Sequence, residues 1–373
     1  MTLQSSGSIS LGQIANEFGY TQGSATRIGD YQHVSVTGNF PQSIGALQFQ
    51  SIDAQSGGSV PTSGQIKFSD FYSTQLQQVV NFWSSGAGGF RLIARNRYES
   101  IGSIGGNNEV AVVGGYRSRP SNSSGTKVHI HVNQDIGSEA NDPDHCALRT
   151  GDQWESGTNL QIDVGGSGRI IGAGGKGGNG PGGPGSGSQG GFGSSALGVQ
   201  YSNTQLNVSS GGLISCGYGG GGGGGGAFDY DHKSSRPAGG GKGGGGAGLP
   251  MGQPADGGTG TATAAQSMTE GGEGGGGGTN HHESTGGNGG QGGDIESATQ
   301  NGGYGSGNEN GQQGAFGPAG TDGFTFKKTS GITFGNSEIS AASGVVLDSS
   351  AKKEFNENFI KAKSLLELSL IHI

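Results

Sequence analysis

The chain has 373 residues, of which 87 are Gly, with 29% apolar and 13% charged residues and a formal net charge of -8. So little apolar residue excludes an ordinary globular core over the whole length, and so few charges exclude a tail kept open by self-repulsion. The acidic balance leaves no general attraction to nucleic acid or to an anionic bilayer, and no run of about 18 apolar residues offers a membrane span.

The opening stretch MTLQSSGSISLGQIANEF has neither the basic n-region nor the apolar h-region of a secretion signal. Residues 1–74 hold a degenerate repeat and read as an N-terminal attachment region. SGSISLGQI (6–14), running on to Glu17-Phe18-Gly19, and SGQIKFSDFY (63–72) each place a Ser-Gly turn before apolar residues two apart. That spacing predicts a short strand in each copy, and Ile14 with Phe18 at i, i+4 predicts one or two helical turns after the first. A unit so small buries little surface alone and is expected to fold against a partner or another copy.

Residues 75–164 carry strand-length apolar or alternating runs at 78–83, 89–94, 109–113, 127–132 and 159–164, separated by Gly and Ser clusters. They predict a small antiparallel β domain, sandwich-like or jelly-roll-like. Residues 165–325 are a glycine tract, and 61 of the 87 glycines fall within 165–320. Collagen needs Gly-X-Y over a long span, which the glycine run 219–226 breaks. A flexible linker and a bundle of polyproline-II strands remain. Length and regular punctuation favour the bundle, because only Gly lets such helices, at about three residues per turn, approach closely. A second repeat supports order. LQIDV (160–164) and GRIIG (168–172) lead into one glycine run; LNVSS (206–210) and GLISC (212–216) lead into the next.

Residues 326–367 read as a C-terminal β segment and helix. Phe324-Thr-Phe326, Ile332-Thr-Phe334 and Gly344–Leu347 carry the β pattern, and Phe355, Phe359, Ala362 and Leu366 lie near one face of a helix over 351–367. Residues 368–373 read as an adapter-derived artefact. The expected fold class is mainly β with little helix: short N-terminal β units, a small antiparallel β domain and a glycine-rich polyproline-II bundle.

Cys146 and Cys216 lie 70 residues apart without CxxC spacing and are expected to be unpaired buried thiols. DPDHC (142–146) gathers carboxylates, imidazole and thiol but lacks the second half of a closed zinc site, and reads as a turn. No G-x-S-x-G nucleophile motif and no Gly-Lys-Ser/Thr phosphate loop is present, so neither an enzyme nor a cofactor is expected. A depolymerase would need acidic residues along a long β-helix groove, and no regular strand repeat of that length is visible. The candidate recognition residues interrupt the glycine tract: Phe228, Asp229, Tyr230 and His232, then His281 and His282, then Tyr304 and Phe316. Aromatic and imidazole groups on tips held by a stiff scaffold suit recognition of a surface ligand. The competing reading makes the aromatics fillers between glycine helices, and makes His281-His282-Glu283 a plain exposed loop tip.

SGSISLGQIANEFG (6–19) and PTSGQIKFSDFYST (61–74) resemble paired motifs of glycine-rich virion structural proteins of T4-like phages, marine ones included. GSGRIIGAGGKGGNGPGG (166–183) and SSGGLISCGYGGGGGGGGA (209–227) resemble their succession of strand, Ile-Ile-Gly and glycine runs. In style the tract is similar to tail-fibre tip adhesins, in which a glycine-rich polyproline-II sandwich carries variable receptor-binding loops. The resemblance implies an extracellular virion protein of the tail or fibre that binds the host cell surface. The alternative is a purely structural neck, collar or decoration protein without receptor binding. Implied partners are a host cell-surface glycan or outer-membrane protein, other fibre or baseplate proteins, and further copies of the chain acting by avidity, with no nucleic acid and no membrane insertion. The resemblance also gives His129 and His131 a sharper reading. They share one face of the strand KVHIHV (127–132); in phage fibre trimers a His-x-His from each chain can coordinate iron. The plain alternative is two polar residues on a strand face.

Overall fold

The computed structural model describes residues 3–17, 28, 37–44, 47–56, 60–61, 63–82, 85–95, 109–113, 127–139, 142–152, 154, 158–231, 234–279, 284–294, 299–306, 312–328, 339–341 and 345–347. Near the N-terminus, Gln13 N–H donates to Ser10 Oγ at 3.2 Å and Ser10 N–H donates to Gln13 Oε1 at 2.8 Å. This capping box starts helix α1 (Leu11–Glu17). The second copy of the repeat ends in one 3-10 turn, Phe68–Phe71, opened by Lys67 N–H donating to Asp70 Oδ2 at 2.7 Å. The helical turns expected after the first Ser-Gly stand at Leu11–Glu17, whereas in the second copy a 3-10 turn stands at Phe68–Phe71 where a short strand was expected, held by the Asp70 carboxylate on Lys67 N–H. The two copies fold on each other. Leu3, Ile14, Ala15, Val60 and Phe71 make one buried cluster, and Leu3 N–H donates to Thr74 O while Ser73 N–H donates to Gln4 O.

Strands β1 (Thr37–Ile44) and β2 (Leu47–Ser56) form an antiparallel hairpin, and β2 pairs antiparallel with β3 (Gln75–Phe82). Beyond β3 the pairing changes. Gly86 bridges in parallel to Ile136, the chain continues into β4 (Phe90–Arg95), and β5 (Glu109–Val113) lies parallel beside β4. A second circuit runs β6 (Lys127–Val132), β7 (Asp135–Gly137) and β8 (Cys146–Arg149). A third runs β9 (Asn159–Val164), β10 (Arg169–Ile171) and β11 (Ser195–Val199); a fourth opens with β12 (Thr204–Val208) and β13 (Leu213–Ser215). Like positions of successive circuits pair in parallel, so β3-β6-β9-β12, β7-β10-β13 and β5-β4-β8-β11 make three faces. Their inward residues share one core, with Ile130, Ile162 and Leu206 from the first face, Ile136, Ile170 and Ile214 from the second, and Leu92, Leu148 and Leu197 from the third.

The fold is mainly β, as expected, but this part is a three-sided parallel prism rather than an antiparallel domain. Alternation tells which way a side chain points and not which way the neighbouring strand runs. A two-residue link such as Asn133-Gln134 reads as a hairpin turn; here it rounds a corner into another sheet. The second repeat is two successive circuits in register, with Ile162 beside Leu206, Val164 beside Val208 and Ile170 beside Ile214. The strand repeat hidden in the sequence is therefore present in space.

The glycine segments leave the prism at the corner between its second and third faces. One excursion, 172–194, links β10 to β11. A longer one follows β13 and carries the antiparallel hairpin of β14 (Ala227–Asp231) and β15 (Ser234–Ala238), then β16 (Gln312–Gln313), which pairs with β14. The chain returns at β17 (Phe326–Lys328) beside β11, and β18 (Ile339–Ala341) and β19 (Val345–Leu347) extend the first and second faces.

Between those strands, hydrogen bonds link glycine segments with a period of three. Gly217, Gly220, Gly223 and Gly226 donate to Ser194, Gly191, Ser188 and Gly185. Tyr218, Gly221 and Gly224 donate to Ala247, Gly244 and Gly241, while Gly222 and Gly225 donate to Gln300 and Gly303. One segment thus satisfies its backbone against a different neighbour on each side. A Cβ at Gly223 would lie 2.1 Å from Asn179 O, and one at Gly289 would lie 1.7 Å from Lys242 O. The expected C-terminal helix, the Ile332-Thr-Phe334 stretch and Phe18 lie outside the described residues.

Candidate functional site

The glycine segments run between two ends. At the near end they join the prism, and Leu249 O accepts from Ser138 N–H at 3.0 Å, tying one turn back onto it. At the far end one network joins several segments. Gly226 N–H donates to Gly185 O at 2.8 Å, Gly314 N–H to Gly226 O at 2.7 Å, and Gly305 N–H to Gly314 O at 3.3 Å. Thr285 and Ser306 exchange two backbone bonds of 2.7 Å, and Gly286 N–H donates to Gly278 O, whose own N–H reaches Gly239 O. Rooted in this network, at the end opposite the prism, are the hairpin strands β14 and β15, Thr279 and Thr285, and Ser306 and Gln312.

Phe228, Asp229 and Tyr230 lie in β14, opposite Pro237, Arg236 and Ser235 of β15. His232, His281 and His282 lie outside the described residues; the residues flanking them, Asp231 and Ser234, Thr279 and Ser284, belong to this end. Flanking residues some 50 apart in the chain are thereby brought to the same end of the bundle. Tyr304 and Phe316 meet edge to face near the same end, with ring centroids 4.7 Å apart and planes at 88°. Phe316 is half-buried beneath the contact, whereas Tyr304 is 66% exposed, so the pair both fills a gap and displays a ring.

His129 and His131 lie on the outer face of β6, since Val128, Ile130 and Val132 point into the core. A residue that the sequence reading did not single out stands beside them. Asp163, on β9 and in register with His131, places Oδ2 3.6 Å from His129 Nδ1 and 3.8 Å from His131 Nδ1. Alternation in NLQIDV marks Asp163 as outward-facing, but only the parallel register sets it next to the histidines. Burial lowers the pKa of His131, outweighing the attraction of Asp163. Burial also pushes the Asp163 carboxyl up, but the His129 ring and the Asn207 and Gln161 amides prevail and hold it down at about 2.

The DPDHC segment is a turn, with His145 N–H donating to Asp142 O at 3.1 Å and Asp144 N–H to Asp142 Oδ1 at 2.7 Å. Cys146 and Cys216 are both buried and form no disulfide.

No helix among the described residues is long and apolar enough to cross a membrane. No curated protein and no solved structure matches the chain. A family does. Residues 99–338 match phage tail fibre adhesin Gp38, a span that takes in the parallel circuits from β5 onward, the glycine bundle and all three far turns. That match puts the protein on the virion, at the tail fibre, in the role of host attachment; the chain belongs to the phage tail fibre adhesin Gp38 family.

Proposed function

We propose that the receptor is read at the far end of the glycine bundle, by the hairpin 227–238 and the turns 279–285 and 306–313. Phe228, Asp229, Tyr230, His232, His281 and His282 are the contact residues of this reading, with the exposed Tyr304 ring on its flank and Phe316 supporting that ring. The convergence of three segments of the longer excursion on one hydrogen-bonded end carries it. Within the bundle a Cβ meets backbone at positions such as Gly223, so chemical variety has little room there. The turns escape that constraint. Polyproline-II conformation of the segments belongs to the same reading, supported by the three-residue period of their hydrogen bonds. Aromatic, imidazole and carboxylate groups suit a host glycan or an outer-membrane protein loop, bound without catalysis. Residues 1–74 and the prism face other fibre proteins, and several copies add avidity.

The test uses the full chain and susceptible bacterial cells. Replacing residues 228–232 and 280–283 by Gly-Ser is expected to weaken saturable binding at least about 100-fold, the loss of two or more strong contacts. The melting temperature should stay unchanged. Undiminished binding by a folded variant would overturn the assignment.

A further inference from the structure

We propose that His129, His131 and Asp163 form a binding site for a divalent transition-metal ion of the zinc class, linking two adjacent circuits of the prism. One ligand atom from each of the three side chains lies within 4.8 Å of the other two. Nitrogen-to-oxygen separations of 3.6 and 3.8 Å are too long for good hydrogen bonds. They are close to the roughly 3.3 Å that separates ligand atoms about 2.0–2.1 Å from one tetrahedral ion. Closing the remaining separations, none above 4.8 Å, on one ion requires side-chain rotation. Nδ1 is the ligand atom that His129 turns toward Asp163; Nε2 would then carry the ring proton, and it is shielded from water with no hydrogen-bond partner among the described residues.

The carboxylate is held from behind. Gln161 Nε2 donates to Asp163 Oδ1 at 2.8 Å and to Oδ2 at 3.0 Å, and Asn207 Nδ2 donates to Oδ1 at 2.7 Å. Oδ1 is thereby doubly occupied, and Oδ2 is the oxygen that faces both rings. Outer hydrogen bonds of this kind fix a ligand's orientation before the ion arrives. Two imidazoles and one carboxylate suit zinc, nickel, copper or iron(II) and not calcium or magnesium, which take oxygen ligands. The set comes from one chain and needs no symmetry axis. His131 is 37% exposed at its side chain, which leaves the outer side of the site open to water as a further ligand.

Titrating Zn2+ into the metal-stripped full chain by calorimetry tests the proposal, with the melting temperature followed in parallel. One saturable ion per chain and a raised melting temperature are expected. His131→Ala and Asp163→Asn should each abolish that binding while folding as the parent does without metal. Asn207→Ala, which removes only an outer contact, should weaken it about 10-fold. A variant with His281 and His282 both replaced by Ala should bind Zn2+ as the parent does. No binding by the parent would overturn the site, as would binding that survives His131→Ala and disappears with His281 and His282.

Discussion

At Cys146, burial pushes the thiol pKa up, and the nearby Arg149 guanidinium only partly offsets it. Burial does the same to the Tyr218 phenol, with Cys216 beside it adding to the shift. Both groups stay protonated in the folded protein at pH values where an unfolded chain begins to release them. Below about pH 8 both states hold these protons and the groups leave stability unchanged. As pH rises past their ordinary values, near about 8.5 for Cys and 10 for Tyr, the unfolded state alone loses protons and stability falls. The melting temperature should therefore be flat from about pH 7 to 8 and decline between about pH 9 and 11. Cys146→Ser should lessen the decline, and iodoacetamide should label Cys146 only after unfolding. Rapid labelling of the native thiol would show that the β8 interior is open.

At the scale of the element, the glycine segments are specified by what they exclude. A Cβ at Gly223 meets the carbonyl oxygen of a neighbouring segment at 2.1 Å, while at Gly276 the nearest atom is Asn288 Oδ1, 4.0 Å away. Gly223→Ala should cost about 3 kcal/mol or more through overpacking against backbone that cannot retreat. Gly276→Ala, at an exposed position, should stay within about 0.5 kcal/mol of the parent. Chemical denaturation of the two variants measures both; equal losses would mean that the segments do not pack this closely. The sequence made such packing legible through glycine runs and the LQIDV/LNVSS repeat, because both are local patterns. Strand direction was not legible. Antiparallel pairing was the expectation from sequence, and only the parallel pairing of β6 with β9 sets Asp163 beside His131. The helical turns after Ser10 were legible from Ile14 and Phe18, while the Ser10–Gln13 capping box that starts them was not singled out.

Over the whole molecule, the chain crosses between prism and bundle more than once, so the two parts hold each other in place. Excursion 172–194 returns to β11 in the middle of the third face, and the longer one returns to β17 at its edge. Pulling on the far turns therefore loads several rungs of the prism in parallel, which suits a protein that must transmit attachment to a fibre. The proposed receptor site lies at the far end of the bundle. Hydrogen–deuterium exchange of the full chain, with and without outer-membrane vesicles from a susceptible host, tests it most directly. Added protection is expected at 227–238, 279–285 and 306–313, and none on the outer face of β6 and β9. Protection confined to the prism, with the far turns exchanging as in the free protein, would contradict it.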